Sequence, residues 1–258
     1  MGAAVDLNSD MGESFGVYKL GDDAAMLRIV SSANVACGFH AGDPLVMHET
    51  ASTAKANGVA VGAHPSFRDL WGFGRRPIMG EKPDDVAKEI VYQIGALQGI
   101  ARSVGHTMSH VKTHGSLGNL IAVDDAMADG VARAIRDAAP DAIWVVMPGT
   151  AMERAGQRYN LRMAREIYAD RTYQDDGTLT SRKQPGAVLH DAEEAARRVL
   201  AMVRERAIVS TSGKQVPVAI DTICVHGDNP EAVAMARRVR EVLEADGVRI
   251  RPMAEVIG

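Results

Sequence analysis

Cysteine is scarce, and Cys37 and Cys224, the only two among 258 residues, form no Cys-x-x-Cys metal or redox motif. They read as two reduced core thiols of a cytoplasmic protein. Basic residues do not cluster and the net charge is −4, which argues against nucleic acid or an anionic membrane as partner. No apolar run approaches the length of a membrane span. The opening Met-Gly-Ala-Ala-Val-Asp has neither the basic flank nor the apolar stretch of a leader. Nucleotide and acyl-transfer signatures are missing too. There is no Gly-x-x-x-x-Gly-Lys-Ser/Thr loop and no Gly-x-Ser-x-Gly elbow, and Gly72-Phe73-Gly74 continues without the third glycine of a dinucleotide fingerprint. The expected partner is a small molecule or another protein.

What is present is alternation. With 46% hydrophobic and 24% charged residues, the chain passes repeatedly from a short apolar segment to a helical one. Strands are expected at Ala4 to Asn8, Ala33 to Cys37, Gly58 to Ala63, Met108 to His114, Ala142 to Met147, Arg162 to Ala169 and Asp221 to Val225. Helices are expected from Asp22, from Asp43-Pro44, from Pro83, near Asp124 to Ala138, from Asp191 and from Pro230, most with an acidic or proline start. A Ser-Gly-Lys turn inside Ile208 to Ile220 signals a hairpin insertion, and a terminal strand is expected near Val248 to Arg251. No linker or repeat divides the sequence, so residues 1–258 read as one α/β domain closed into a β/α barrel.

In such a barrel the carboxyl ends of all strands meet on one face. Asp10, His40, His64, His114, Glu166 and His226 each follow or end a predicted strand, so they should converge. Strand alternation puts His110, Lys112 and His114 on one face. Crowded cations and burial are expected to lower the Lys112 pKa and make it an easy proton acceptor or nucleophile. The small Ala60 and Gly62 leave room beside their strand, and the loop from Ser66 to Gly80 is long enough to cover a site. Asp43 also has a purely structural explanation as a helix cap. The chemistry such a set supports is hydrolysis at a polar carbon: a carboxylate or histidine activates water, a cation holds the oxyanion, and a second acid protonates a departing nitrogen. Asp10, Lys112, His114 and Glu166 are the candidate catalytic residues. As polar residues of the barrel mouth, Asp10 and Lys112 are expected to matter for turnover and little for folding. A His/Asp cluster is an alternative holder of a divalent metal, but with no His-Glu-x-x-His pair no tightly bound metal is expected.

Seven stretches together resemble the LamB/YcsF family. They are Asp6-Leu7-Asn8-Ser9-Asp10-Met11-Gly12-Glu13-Ser14-Phe15-Gly16, Ser32 to Asp43, Gly62-Ala63-His64-Pro65, Gly72 to Arg76, His110 to Gly115, Gln184 to Asp191 and Thr222 to Asp228. The resemblance implies an irregular, seven-stranded, TIM-like barrel of the glycoside hydrolase and deacetylase type. It implies opening of the lactam of 5-oxo-L-proline to L-glutamate coupled to ATP hydrolysis, together with two partner subunits. ATP, with its magnesium, would be bound mainly by those partners. Residue by residue it points to Asn8, Asp10, Glu13, His40, Asp43, His64, Lys112, His114, Glu166, Arg182, His226 and Asp228. Thr113 departs from the family's usual proline, and Ser116 and Gly118 from its alanine and tyrosine, which alters packing near Lys112. Two other readings stand beside this one: a metal-dependent amide or sugar deacetylase, and a non-catalytic subunit that binds a ligand for its partners.

Overall fold

Short segments of period two alternating with stretches of period 3.6 require parallel strands joined by helical crossovers. A computed structural model describes residues 3–258, so Met1 and Gly2 of the expected leaderless start lie outside the described residues. In chain order the elements are β1 (Ala4–Met11), α1 (Asp23–Met26), β2 (Ser32–Ala36), α2 (Pro44–Ala56), β3 (Ala60–His64), α3 (Pro83–Ser103) and β4 (Met108–Val111). They continue with α4 (Gly115–Val123), α5 (Asp125–Ala138), β5 (Ile143–Val146), α6 (Ala151–Arg158), β6 (Met163–Tyr168), α7 (Ala192–Glu205), β7 (Ala207–Val209) and β8 (Gln215–Pro217). The last are β9 (Thr222–Cys224), α8 (Pro230–Ala245), β10 (Arg249–Ile250) and α9 (Met253–Ile257).

Strands β1, β2, β3, β4, β5, β6 and β9 pair in parallel in that order, and β9 returns to β1, where Asp6 faces Thr222 and Asn8 faces Cys224. The result is a closed, TIM-like barrel of seven strands. Strands β7 and β8 form the expected hairpin outside it, antiparallel and paired through Ile208 and Val216. Helix starts follow the capping chemistry of the sequence: Asp22, Asp43, Asp124, Asp191 and Asn229 each accept a backbone N–H of the first turn. Helices α4 and α6 are additions to the sequence expectation. Helix α4 follows His114, which makes no side-chain cap bond, whereas α6 carries a start signal that the expectation lacks, Thr150 at the N-cap with Glu153 three residues on.

The apolar core lies between the sheet and its helices. Val5, Leu7, Val35, Val61, Ala63, Val111 and Trp144 point outward against Ile90, Ile94, Leu97, Val131, Ile135 and Val239. Burying one such aliphatic side chain contributes roughly 1.5–3 kcal/mol, which makes this layer the main source of stability. Inside the barrel the layers are polar over much of the circumference: Asp6, Asn8, Ser32, Asn34, His110, Glu166 and Thr222 are all buried. Around β5 and β6 the filling is apolar, where Met253 of α9 packs on Ile143, Val145 and Ala164. The room beside Gly62 is taken by the His110 imidazole; a Cβ there would lie 2.2 Å from the ring. His110 is bonded to Asn34 Oδ1 at 2.9 Å and Ser109 Oγ at 2.8 Å, and burial pushes its pKa down to about 3. It is a neutral strut between strands.

At the lower end of the barrel Asp6 accepts hydrogen bonds from Ser31 Oγ at 2.7 Å, Ser32 Oγ at 2.6 Å and Thr222 Oγ1 at 2.5 Å, joining β1, β2 and β9. Burial nonetheless pushes the carboxyl up to about 6. The folded chain thus holds this proton more tightly than the unfolded chain does, a contribution present in acid and lost as pH rises through about 6. Asp6→Asn cannot titrate, so its stability relative to wild type should improve by about 3 kcal/mol between about pH 4 and pH 7. Urea unfolding of both proteins measures this; a difference that stays flat with pH contradicts the raised value.

Candidate active site

Three strand ends converge on one ammonium group. Lys112, the residue after β4, reaches across the barrel until Nζ lies 2.9 Å from Asp10 Oδ1, 3.0 Å from Glu166 Oε1, 3.1 Å from Asn8 Oδ1 and 3.1 Å from Cys224 Sγ. Burial alone would push the lysine down, but Asp10, Cys224 and Glu166 hold it well above the usual lysine range. The expectation of an easily deprotonated Lys112 is therefore corrected: its neighbours in space are anions and dipoles, and the flanking His110 and His114 are held below their ordinary values and add no cation. Asp10 mirrors this. Burial pushes its carboxyl up, and His64 and Lys112 more than offset that and hold it well below the carboxylate range. Asn8 fixes the set: its amide nitrogen donates to Glu166 at 3.0 Å and Thr222 at 2.7 Å, and its oxygen accepts from Asn34 at 2.8 Å.

A second group lies beside Asp10. His64 Nε2 is 3.2 Å from Asp10 Oδ2 and 3.0 Å from His114 Nδ1. The His40 ring stacks on His114 with centroids 3.9 Å apart, and Glu13 Oε1 is 3.6 Å from His40 Nε2 and 3.7 Å from His114 Nδ1. One ligand-type atom from each of Glu13, His40, His64 and His114 falls within 4.8 Å of every other. The outer nitrogens of two rings are fixed by backbone carbonyls, His64 Nδ1 by Lys112 O at 2.7 Å and His114 Nε2 by Phe73 O at 2.8 Å. Burial, then the neighbouring histidines, keep His114 well below its ordinary value, and burial does the same to His40. Burial, then Asp10, raise the Glu13 carboxyl to about 7.

A third group is His226 with Asp170, bonded Nδ1 to Oδ2 at 2.8 Å. Burial would lower His226, but Asp170 lifts it well above the ordinary histidine value, so it stands as an imidazolium. Ligand atoms of Asp10, Cys224 and His226 also lie within 4.8 Å of one another.

These groups line connected hollows at the carboxyl end of the strands. A cleft of about 580 Å³ holds Asp10, His64, Lys112, His114, Glu166, Tyr168 and Arg182. A smaller one of about 340 Å³ holds Asp10, Glu13, Phe73, Arg75, His226 and Asp228. The loop after β3 does cover the site: Phe73 sits edge-on to His114 and His40, and Arg75 lines both hollows. Gly74, at φ +62, permits this close approach, since a Cβ there would lie 2.5 Å from Ser66 Oγ and 2.8 Å from His114. Ser116, at a position where the family resemblance calls for alanine, ties the loop to α4 by donating to Gly74 O and Arg76 O.

The expected residues thus separate. Asn8, Asp10, Lys112 and Glu166 form one set, Glu13, His40, His64 and His114 another, and Arg182 and Asp228 stand exposed on the rim. Asp43 joins neither set; its carboxylate accepts from Leu45 and Val46 as the α2 cap and from Gly16, which uses it structurally. Cys224 and Asp170 are site residues that sequence reasoning misses. Cys224 reads as a core thiol from its apolar neighbours, and the signal for it is its place at the end of a strand, two residues before His226.

The sequence profile of the LamB/YcsF family matches residues 5–258. A protein of Rhodopseudomonas palustris, named as a subunit of 5-oxoprolinase, is 52% identical over 250 residues, 97% of this chain and 98% of the relative. The crystal structure of the lactam utilization protein from Thermus thermophilus superposes with a TM-score of 0.91 at 44% identity, covering 96% of this chain and 99% of the other. A deacetylase solved with its substrate, 12% identical, shares the fold at a TM-score of 0.52, covering 99% and 90%.

The buried Lys112 contradicts the expectation that it matters little for folding. Removing its charge leaves the buried Glu166 without its cation and Asp10 with His64 alone, a change that costs about 3–5 kcal/mol in such sites. Lys112→Met should lose stability of that order at neutral pH and less in acid, where Asp10, no longer held down by the ammonium, takes up a proton. Urea midpoints at the two pH values decide it; an unchanged midpoint would mean the ion set is dispensable for the fold.

Proposed function

The chain belongs to the LamB/YcsF family, and we propose that it is the ring-opening subunit of an ATP-dependent 5-oxoprolinase, converting 5-oxo-L-proline to L-glutamate. The relatives' names support the reaction class. The observation that carries the reading at atomic level is the Lys112 ammonium held between Asp10 and Glu166 at the floor of a cleft sized for a small molecule.

A lactam is a resonance-stabilised amide with a poor leaving group, so ATP has to make its carbonyl carbon electrophilic, and phosphorylating the oxygen does so. Water then attacks that carbon, the ring C–N bond breaks as the nitrogen gains a proton, and a second water hydrolyses the resulting acyl phosphate to the L-glutamate carboxylate and free phosphate. In this scheme Asp10 accepts the proton of the attacking water. The Lys112 ammonium offsets negative charge on the oxygen, and its high pKa suits a permanent cation rather than a nucleophile. Glu166 and Asn8 hold Lys112 in place. His226, kept protonated by Asp170, is the donor to the leaving nitrogen. Arg75 and Arg182, both exposed on the cleft wall, receive the substrate carboxylate or a phosphate. Arg76 is excluded from that role because Asp69 holds its guanidinium, Nε to Oδ1 at 2.8 Å.

Two partner subunits supply most of the nucleotide site in this reading. The rim at the carboxyl ends of β1, β2 and β3 carries exposed Val17, Tyr18, Leu45, Trp71 and Met79, apolar surface of the kind that protein contacts cover. Among the described residues no helix is long and apolar enough to cross a membrane. The test is glutamate and phosphate release from 5-oxoproline and ATP, with the purified chain alone and with its partners. The chain alone should release no phosphate, and Asp10→Asn should lower turnover of the complete system about 100-fold or more. Substrate-dependent ATP hydrolysis by the isolated chain would put the nucleotide site in this barrel, and full turnover by Asp10→Asn would remove Asp10 from the mechanism.

A further inference from the structure

The four groups beside Asp10 have too few protons for the contacts they make. A backbone carbonyl accepts and never donates, so the ring nitrogens facing Lys112 O and Phe73 O, His64 Nδ1 and His114 Nε2, must both carry hydrogen. With one hydrogen per ring, the other nitrogens are then bare. Those bare nitrogens, His64 Nε2 and His114 Nδ1, face each other at 3.0 Å, lone pair against lone pair. Beside them Glu13 Oε1 and both ring nitrogens of His40, Nδ1 and Nε2, are buried without a hydrogen-bond partner. His40 has no solvent exposure at all. Burying such groups unpaired is unfavourable, most of all for a charged carboxylate, so the arrangement needs something positive at its centre.

We propose that Glu13, His40, His64 and His114 form a binding site for one divalent cation of the zinc class. Three imidazoles and a carboxylate are a donor set that zinc takes with Zn–N of about 2.0–2.1 Å, and ligands that short around one ion stand roughly 3 Å apart, as His64 and His114 do. The outer-nitrogen bonds to Lys112 O and Phe73 O are the orienting contacts that metal-binding histidines characteristically make. Magnesium fits poorly, since it prefers oxygen and water to imidazole. The four ligands come from the ends of β1, β2, β3 and β4, so no short motif announces them. This is why the sequence led to the opposite expectation. The site adjoins the floor of the cleft, with Asp10 Oδ2 3.2 Å from His64 Nε2. The proposal stands independently of the lactam reaction, because it rests on these unpartnered buried atoms and their spacing.

The test uses the untagged full chain, stripped with chelator and titrated with cobalt(II), whose visible absorption reports a low-coordinate nitrogen and oxygen environment. One equivalent should bind, develop visible bands, be displaced by zinc and raise the thermal midpoint. Glu13→Gln, at a partly exposed position that tolerates an isostere, and His40→Ala should each weaken cobalt binding at least 10-fold, with circular dichroism confirming the fold. Absence of visible bands and of a thermal shift in the wild type would overturn the proposal and leave a shared proton between the rings. Binding untouched by both substitutions would overturn it as well. A sulfur-to-cobalt charge-transfer band lost in Cys224→Ser would place the ion instead at Asp10, Cys224 and His226.

Discussion

A single ammonium on the axis of a closed barrel is the constraint around which this molecule is arranged. Lys112 is almost completely buried, and a lone buried charge would cost several kcal/mol. Its cost is offset only because three strands deliver partners at hydrogen-bond distance: Asn8 and Asp10 from β1, Glu166 from β6 and Cys224 from β9. Those partners are in turn fixed by neighbours. Asn34 of β2 donates to both Asn8 and Asp10, and Thr222 receives the Asn8 amide and passes its own hydrogen to Asp6. A polar ladder therefore runs from the lower end of the barrel to its mouth. It accounts for the small, hydrogen-bonding interior where larger barrels of this type are filled by branched aliphatic side chains.

Lys112 also links the two polar sets chemically. Its side chain organises Asp10 and Glu166, while its backbone carbonyl orients His64 and so aims His64 Nε2 toward His114. Asp10 is shared in the same way, one oxygen on the ammonium and the other beside His64. A change in charge on the histidine side is thereby felt on the lysine side through one carboxylate, without movement of the backbone.

The scaffold is readable in the sequence because it is built from local signals. Asp43-Pro44, Asp191 and Asn229-Pro230 mark helix starts, and alternation correctly puts His110, Lys112 and His114 on one face. The failures are equally physical. Helix α4 begins after His114 without a capping side chain, whereas α6 does carry Thr150 and Glu153 in capping spacing but spans only eight residues. The direction of the Lys112 pKa shift reads wrongly because its neighbours along the chain are histidines, whereas its neighbours in space are Asp10 and Glu166, more than 50 residues away on either side. Gly62 does leave room beside its strand, but for His110. Asp43 belongs to a helix cap, as its position before proline already allows. Convergence across strand ends is legible as a tendency; the division of the converging groups into a lysine set, a histidine set and a His226 pair requires distances.

That division determines which group can do which work. Charges of opposite sign alternate across the mouth: the Lys112 ammonium, the Asp10 carboxylate, the His226 imidazolium and the Asp170 carboxylate, with the neutral histidines His40 and His114 to one side. A buried acid held far below its ordinary range is a weak base in isolation, and strong attraction to its cation is the cause. In the proposed reaction Asp10 would become a better base as that cation is drawn toward charge developing on the substrate, because the field holding its pKa down is then shared. Turnover and basicity would be coupled through Lys112, so the residue that stabilises the folded barrel would also release the base at the moment the oxyanion forms.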